Sequence, residues 1–584
     1  MPACRMFAAA AIVGMILATG ADAEEPRISI GIASPQRLRD DLQYLVEMAP
    51  APLNKQWKGL SATLESFEQG VNPDAPLRVD LIFAGQGLKF GAAIPIKKWD
   101  GRNGFLDNLS SFGFDVGKPN AAGLIEVKQQ VANRGKKGAA AGPPAKPFYM
   151  RHLTGPKYGV LSSDAANIPA NLPDPSIDLK AWLVAPIDIA AQLKNDTAGL
   201  KDRQASFSQM RKELEAAIEF KRTESEAAIE LRKLALKQNL NEAERFLVES
   251  ENLSITWTTD PAAKAARGDL ALNALSGTSL HESIQLLCEK PSAFANVQFH
   301  PKPALQVRVN FPIDDLRSGH AKELYPKLLP VVLADIDARP ALNDAGKAAG
   351  KTAMSVLFEM LTDSLSLKLL DTIVDFHATA DGKHGLVCGI RTADGTKAVA
   401  ALEQFPGIRE NGWKFEKAVA EHGGVTIHAM TVAPHRMEEF RAICGGDPVV
   451  LIGVSKDIVW GAAGEGALEK LKTAIDQAAM PLPEKADPVF ASLEMRVAPW
   501  IELLDVIRSK EPKPAAGDKT AQETERQRTK LRKAVKQAFE PADDVLQATI
   551  RREKDGVKGD MKAGLGIQRF IGTVIGFIHD EYFE

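Results

Sequence analysis

The sequence predicts an α+β fold made of two tandem similar halves, each with antiparallel hairpins covered by helices. Two observations support this prediction. A pattern of an alternating strand, a proline and an amphipathic helix occurs four times, and each copy is followed by two strands and another helix. Chains that mix hairpins with separate helices are typical of α+β folds. We therefore predict a first half at 24–291, a linker at 292–303 and a second half at 304–584.

The four copies define four units, which start near residues 27, 176, 304 and 489. Each copy has a proline where the strand meets the helix, because its fixed φ suits the first helical turn. Asp188 and Asp314, two residues beyond their prolines, are expected to complement the positive end of a helix. The strand-to-proline segments lie at 28–35, 180–186, 305–312 and 493–499.

The second and fourth copies agree in further features. Asp174-Pro175 and Asp487-Pro488 precede a Val-Ala-Pro sequence by the same interval. In the second copy the helix is expected to continue through Ile189 and Leu193. Each of the two copies then has a long polar helix and a hairpin, and the hairpins contain Gly268-Asp269-Leu270 and Gly559-Asp560-Met561.

The remaining strands are predicted from alternating apolar residues between turn signals. In the second half, Asp381 and Gly382 form a two-residue turn signal between strands at 373–379 and 384–390. The other predicted strands lie at 77–83, 88–94, 124–128, 148–153 and 159–162 in the first half, and at 425–432, 449–454 and 458–462 in the second.

The segment 200–250 contains no glycine or proline, which predicts helix throughout. One straight helix of this length would measure about 75 Å, more than the width of a small domain. The segment therefore either projects as a stalk or breaks near Thr223, which has the spacing of a capping box with Glu226. We favour a helical hairpin or a protrusion, with its many charges on a solvated face.

Residues 1–23 have the three parts of a cleaved export signal. Arg5 supplies a positive charge, an apolar run follows at 6–18, and Ala21 and Ala23 are small residues before the expected cleavage site. The alternative, a first core helix, fits less well because Glu24 and its acidic neighbour follow at once. We expect an exported protein, periplasmic or extracellular, with no transmembrane segment after signal removal.

Composition excludes several classes of protein. With 45% hydrophobic and 25% charged residues, the 584-residue chain is neither disordered, collagen-like nor a polytopic membrane protein. Because 72 basic residues nearly balance 75 acidic ones, we expect no nucleic-acid partner. After signal removal Cys288, Cys388 and Cys444 allow at most one disulfide, and they have no CxxC spacing. We expect buried, unreactive thiols.

Residues 345–352 fit a loosened phosphate-binding loop that ends in Gly350, Lys351 and Thr352. Such a loop needs a buried strand directly before its glycines. Here 339–344 intervene, and 344–360 are predicted to form one continuous helix. We therefore predict a helix at this place and no nucleotide.

The hairpin at 373–390 contains one candidate set of metal ligands. A two-residue turn would pair Asp375 with Cys388 and His377 with Leu386, and would place four such residues on one face. Imidazole and thiolate suit zinc. The simpler interpretation is a solvated polar face, and we predict no metal and no cofactor. The four candidate residues are Asp375, His377, His384 and Cys388.

Functional motifs are otherwise absent. The sequence has no Gly-x-Ser-x-Gly, Ser-x-x-Lys or His-Glu-x-x-His motif, and no ionisable residue recurs at one place in all four copies. The repetition therefore maintains a scaffold rather than a reactive group. We predict an exported, non-catalytic binding or structural protein whose partner is a protein, a glycan or an apolar ligand. The alternative is a metal-dependent envelope hydrolase that uses the 373–390 hairpin.

Overall fold

The computed structural model describes residues 27–49, 54–84, 87–129, 147–168, 174–216, 225–301, 303–379, 382–408, 412–508, 519–539 and 544–583. Within these residues α-helices are combined with one large antiparallel sheet of twenty strands. The strands are β1 Arg27–Ile32, β2 Leu77–Ala84, β3 Gly87–Pro95, β4 Phe114–Val116, β5 Ile125–Gln129, β6 Phe148–Leu153, β7 Tyr158–Ser162, β8 Ile189–Lys194, β9 Ser250–Asp260, β10 Ala265–Ala274, β11 Pro303–Pro312, β12 Leu369–Ala378, β13 His384–Arg391, β14 Lys414–His422, β15 Val425–Thr431, β16 Val449–Val454, β17 Ile458–Ala463, β18 Val489–Arg496, β19 Val545–Arg552 and β20 Gly556–Ala563.

The α-helices lie between groups of strands and cover the faces of the sheet. They are α1 Pro35–Glu47, α2 Asn54–Phe67, α3 Phe105–Ser111, α4 Pro175–Trp182, α5 Leu200–Ala216, α6 Glu226–Val248, α7 Ser279–Gln285, α8 Asp315–Ala338, α9 Asp344–Ser364, α10 Lys397–Leu402, α11 Phe405–Ile408, α12 Met437–Cys444, α13 Ala467–Ala478, α14 Ala498–Arg508, α15 Lys519–Ala538 and α16 Leu565–Phe583.

Every pairing between neighbouring strands is antiparallel. From one edge to the centre the order is β4, β5, β6, β7, β3, β2, β1, β8, β9 and β10. From the centre to the other edge it continues β20, β19, β18, β11, β12, β13, β17, β16, β15 and β14. Strands whose numbers differ by ten therefore lie at equal distances from the central β10–β20 pair.

The central pair joins the two predicted hairpin tripeptides directly. Asp269 lies opposite Asp560, Gly268 opposite Met561 and Leu270 opposite Gly559. The two aspartates share one face and are exposed. This pairing makes the sheet continuous through the middle of the molecule.

The strand–proline–helix prediction is confirmed at the first, third and fourth copies. β1 leads to α1, whose cap Ser34 accepts the backbone N–H of Arg37 at 3.0 Å and whose first residue is Pro35. β11 leads to α8, whose cap Asp314 accepts the backbone N–H of Arg317 at 2.9 Å. β18 leads to α14, which begins one residue before Pro499.

The strand–proline–helix prediction is wrong for the second copy. Residues 180–182, predicted as the first part of a strand, are the end of α4, because Pro175 begins a helix that Asp174 caps by accepting the backbone N–H of Ser176 at 2.8 Å. The predicted helix through Ile189 and Leu193 is strand β8. An Asp-Pro sequence can precede either a helix or a strand. The equal spacing from Asp-Pro to Val-Ala-Pro in the second and fourth copies therefore led to a wrong alignment of the second copy.

Within segment 200–250 the structure describes two helices, α5 and α6, that pack along each other, and not one straight helix. Arg211 of α5 bonds to Glu244 of α6 at 2.6 Å, and Phe207 packs with Val248 in one apolar cluster. The predicted cap Thr223 lies outside the described residues, and Ser225 caps α6. The described parts of the two helices therefore pack along each other.

Helix α6 is also bonded to α7 and to the residue that caps α8, beyond the predicted linker. The Arg245 guanidinium, which is buried, bonds to Asp314 at 2.8 Å and donates to Ser279 Oγ at 2.9 Å. Burial alone would raise the pKa of Asp314, but its hydrogen bonds with Arg317, Ser283 and Arg245 hold that pKa below the ordinary value. The first part of the chain is thus fastened to the second by a buried ion pair.

The segment predicted as a linker packs against the sheet. Ser292 Oγ donates to Asp371 at 2.6 Å, and the backbone N–H of Ala293 donates to the same carboxylate at 2.7 Å. Phe294 is fully buried, and its ring meets that of Trp460 edge to face at 5.2 Å. These contacts make residues 292–300 part of the core around β12, β13 and β17.

Helix α16 packs against α1. Gly572 permits this contact, because a Cβ atom at that position would lie 1.8 Å from the Leu45 carbonyl oxygen. None of the helices within the described ranges is long and apolar enough to cross a membrane.

Candidate functional site

The hairpin of β12 and β13 differs in register from the prediction. The backbone N–H of Thr379 donates to the Lys383 carbonyl at 2.8 Å, and Ala378 lies opposite His384. Thr379 and Lys383 are therefore separated by three residues, 380–382, whereas the prediction was a turn of two residues. Residues 380 and 381 lie outside the described residues. Because side chains alternate along a strand, this one-residue shift exchanges the faces of one strand relative to the other.

The shift separates the four predicted metal ligands into two pairs. Cys388 and His384 lie on one face, whereas Asp375 and His377 lie on the other. The predicted pairing of Asp375 with Cys388 is wrong, because the turn is one residue longer than expected. Nowhere in the described ranges is a group of three or more His, Cys, Asp or Glu residues placed to hold a metal ion.

The predicted solvated face is also wrong, because Asp375, His377 and His384 are buried. Lys470 of α13 donates to His377 Nε2 at 3.1 Å, and His377 Nδ1 lies 3.4 Å from Asp375 Oδ1. The ring of His300 stacks on His377 at 4.2 Å, and its backbone N–H donates to Asp375 at 2.8 Å. This cluster attaches α13 and the segment before β11 to the sheet.

His384 belongs to an aromatic contact on the other face. Its ring stacks on Phe376 at 5.0 Å, and Phe376 meets Trp500 of α14 at 5.2 Å. Tight packing of this kind leaves His384 as a core residue rather than a catalytic group.

The face that contains Cys388 and Val374 lines a large cavity, and we call it the cavity face. The cavity has a volume of about 770 Å³ and lies between this face and helices α8 to α11. The strands contribute Thr372, Val374, Cys388, Ile390, Ile452 and Val459. The helices contribute mainly apolar residues, among them Ile336, Met354, Leu357, Met360, Leu402 and Phe405.

Several small residues belong to the lining of the cavity. Gly350 and Ala353 of α9, Ala398 and Ala401 of α10, and Gly461 of β17 all line it. Protein interiors are normally packed with few voids larger than a water molecule. Sites for small ligands range from about 300 to 1,000 Å³ and are mostly apolar. The cavity therefore has the size and lining of a ligand site.

The charged residues of the lining lie at its solvent-exposed end. Asp335 and Arg339, near the end of α8, are 64% and 62% exposed, and Arg339 Nη2 donates to Asp335 Oδ2 at 2.8 Å. A second ion pair joins Lys351 of α9 to Asp337 of α8 at 2.7 Å. Asp335 and Arg339 thus form an exposed polar part of the lining, which we call the mouth, and most of the remaining lining is apolar.

The three cysteines that the structure describes are poor candidates for a reactive group. Cys288, Cys388 and Cys444 are half-buried free thiols, and burial raises the pKa of each. A raised pKa keeps a thiol protonated and poorly nucleophilic. The geometry agrees with the prediction of unreactive thiols.

The predicted helix at the phosphate-loop match is confirmed. Residues 345–352 lie in the first part of α9, and Asn343 caps that helix by accepting the backbone N–H of Gly346 at 2.7 Å. Gly350 faces the cavity, and Lys351 faces α8.

Comparison of the chain with protein-family models, curated proteins and solved structures finds no match. The cavity is therefore interpreted from its own geometry.

Sequence reasoning did not identify the cavity, although α9 contains a signal for it. Gly350, Ala353, Met354 and Leu357 follow the spacing of one helix face, so that small and flexible residues share one apolar stripe. The same stripe would be expected of a helix that packs tightly, and only the placement of α8, α10 and the strands shows that space remains.

Proposed function

We propose that the protein is a non-catalytic binding protein that holds an apolar molecule between the cavity face and helices α8 to α11. The observation that supports this function is the cavity of about 770 Å³ with its apolar lining. Of the three partner classes predicted from the sequence, an apolar ligand fits this cavity best. The alternative of a metal-dependent hydrolase has lost its support, because the register distributes its four residues over two faces.

The first part of the sheet offers a comparison within the same chain. Followed through the strand pairings, the cavity face continues to Ile125 of β5 and to Phe148 and Met150 of β6. There these side chains pack with Phe105 of α3 in a compact core. On this face the first ten strands are covered by a packed core, whereas the last ten strands border a cavity. This difference favours a dedicated ligand site.

We also propose that the chain consists of two tandem halves with related folds. The equal order of β1–β10 and β11–β20 on the two sides of the central pair supports this interpretation. An experimental structure in which the two sets of ten strands could not be superposed would refute it.

We further propose that residues 1–23 are an export signal, which lies outside the described residues. The support is the order of charged, apolar and small residues in the sequence. N-terminal sequencing of the protein from its native source should begin near Glu24, whereas a mature chain that retains Met1 would refute export by this signal.

Filling the cavity tests the ligand-binding function. Ala353 of α9 is buried and lines the cavity, so Ala353→Phe should place an aromatic ring in the ligand volume. We expect the affinity for an uncharged alkyl fluorescent probe to fall by about tenfold or more, since every 1.4 kcal/mol of lost contact is a factor of ten. Fluorescence titration measures this change.

Ala348→Phe is the matched control, because Ala348 lies on the same helix and is exposed. It should leave probe affinity unchanged, and both variants should keep the cooperative thermal transition of the wild type. Probe binding that is equally strong in wild type and Ala353→Phe would contradict binding in this cavity.

A further inference from the structure

We infer that the ligand of this cavity is an uncharged aliphatic lipid, such as an alkyl or isoprenoid chain with at most a hydroxyl or ester group. This inference rests on the proposed function and narrows it to one chemical class. It follows from how the polar groups of the lining are already bonded.

The two charged residues of the lining neutralise each other. Asp335 Oδ2 accepts from both Nε and Nη2 of Arg339, at 3.2 and 2.8 Å. A carboxylate or phosphate head group that contacts Arg339 would also lie beside the Asp335 carboxylate, which repels it. A cationic head group would meet the same problem with Arg339. The mouth therefore offers no net charge to either kind of head group.

The neighbouring charges beyond the mouth are balanced in the same way. Lys351 bonds to Asp337 at 2.7 Å. At the start of α9, the side chain of Asn343 accepts the backbone N–H of Gly346 at 2.7 Å, so this amide has a partner within the protein. Neither feature selects an anion.

The polar side chains that the cavity face contributes to the lining are those of Thr372 and Cys388. The Thr372 hydroxyl donates to the Gly389 carbonyl at 2.9 Å. Cys388 remains a protonated thiol, since burial raises its pKa. A charged group brought against these walls would lose its water without gaining a partner, which is costly. An uncharged chain avoids that cost.

Three ligands with the same alkyl chain and different head groups test the inference. Dodecanol, laurate and dodecylamine are titrated against the full chain with bound alkyl probe, near neutral pH, where the last two are charged. We expect dodecanol to displace the probe with at least about tenfold higher affinity than either charged ligand, because a hydroxyl enters the apolar lining at less cost than a charged head, which meets no net charge at the exposed Asp335–Arg339 pair. Equal or tighter binding of laurate or dodecylamine would overturn the inference.

The double variant Asp335→Asn/Arg339→Gln provides the second measurement, because removal of Arg339 alone would leave Asp335 as an unpaired charge that repels laurate. An uncharged ligand does not use the guanidinium, so dodecanol affinity should change by no more than about twofold and laurate should not be selectively weakened. Selective weakening of laurate would show that Arg339 binds an anionic head. Arg436→Gln/Glu439→Gln, which removes the ion pair between the residue before α12 and that helix, is the matched control.

The same titrations separate this inference from the proposed function. If the wild type binds all three ligands equally and Ala353→Phe binds none, the cavity binds apolar chains but does not select uncharged ones. If the wild type binds none of them and no probe, the proposed function itself is wrong.

Discussion

Asp41 of α1 and Asp188, just before β8, form a buried carboxylate pair. Arg37 makes an ion pair with Asp188, which also accepts the backbone N–H of Thr259. Burial, with the nearby charge of Asp188, raises the pKa of Asp41 to about 7. Burial raises the pKa of Asp188 as well. The pair therefore holds a proton up to near-neutral pH and couples α1 to the strands beside it.

This pair predicts a pH-dependent stability. The folded-state pKa of Asp41 lies above its unfolded value, so the folded state binds more protons, and the stability from this group falls as pH rises from about 4 to about 7. Asp41→Asn keeps a hydrogen-bond donor and removes the titration. We expect the variant to be more stable than wild type by about 1–2 kcal/mol near pH 8 and not near pH 5. Urea unfolding at both pH values measures the difference.

Glu47→Gln is the control, because Glu47 lies on the same helix, is exposed and is not among the charges that act on Asp41. Its stability relative to the wild type should be the same at both pH values. An Asp41→Asn effect that does not change with pH would show that the carboxylate pair does not share a proton.

At the residue scale, the sequence predicts capping better than it predicts burial. Asp314 was expected at the positive end of a helix, and it caps α8. The same expectation for Asp188 is wrong, because this residue precedes strand β8 and pairs with Arg37 and Asp41 instead. A cap depends on neighbours along the chain, whereas a buried carboxylate pair depends on residues about 150 positions apart.

Among the elements, the segment 292–300 makes a larger contribution to the core than a linker would. Asp371 and Asp375 hold its backbone, and Arg308 donates to the carbonyl of Val297 at 2.5 Å. Burial raises the pKa of Asp371. The segment thus closes the side of the sheet opposite the cavity.

Removal of the Phe294 ring tests this role. Phe294 is fully buried against Trp460, so Phe294→Ala should reduce the free energy of unfolding by about 3–5 kcal/mol. Chemical denaturation measures the change. Phe246→Ala is the control, because Phe246 of α6 is 38% exposed and its loss should cost much less. A Phe294→Ala effect below about 1 kcal/mol would mean that the segment is only a connection.

Element prediction was accurate where alternation and turn signals agreed. The predicted strand at 148–153 is β6, and that at 449–454 is β16. Strand β14, Lys414–His422, was missed because charged residues interrupt its apolar alternation. It lies at an edge of the sheet, where charges prevent pairing with other chains. The β12–β13 register was missed because turn length alone decides it.

In the whole molecule, twenty strands form one sheet whose centre is the β10–β20 pair, and the cavity lies well to one side of that centre. The continuous sheet places α8 and α9 over β12, β13, β16 and β17. The helices cover these strands but do not fill the space between helices and strands, which small residues help to line. The cavity is therefore a product of the packing of distant segments.

The α+β class could be predicted from local patterns, but the cavity could not. Its lining runs from Val332 to Gly461, and whether Gly350 and Ala353 meet a helix or a void depends on the position of α10 and α11. The same limit applies to the metal hypothesis, because only the register of β12 and β13 shows that Asp375 and Cys388 lie on different faces.

Photo-crosslinking of the intact protein with an uncharged alkyl diazirine, followed by peptide mapping, tests the central claim most directly. We predict that the labelled residues belong to α8–α11 and to β12, β13, β16 and β17, and that Ala353→Phe abolishes the labelling while Ala348→Phe preserves it. Labelling concentrated on β1–β10, or labelling unchanged by Ala353→Phe, would contradict an apolar ligand site in this cavity.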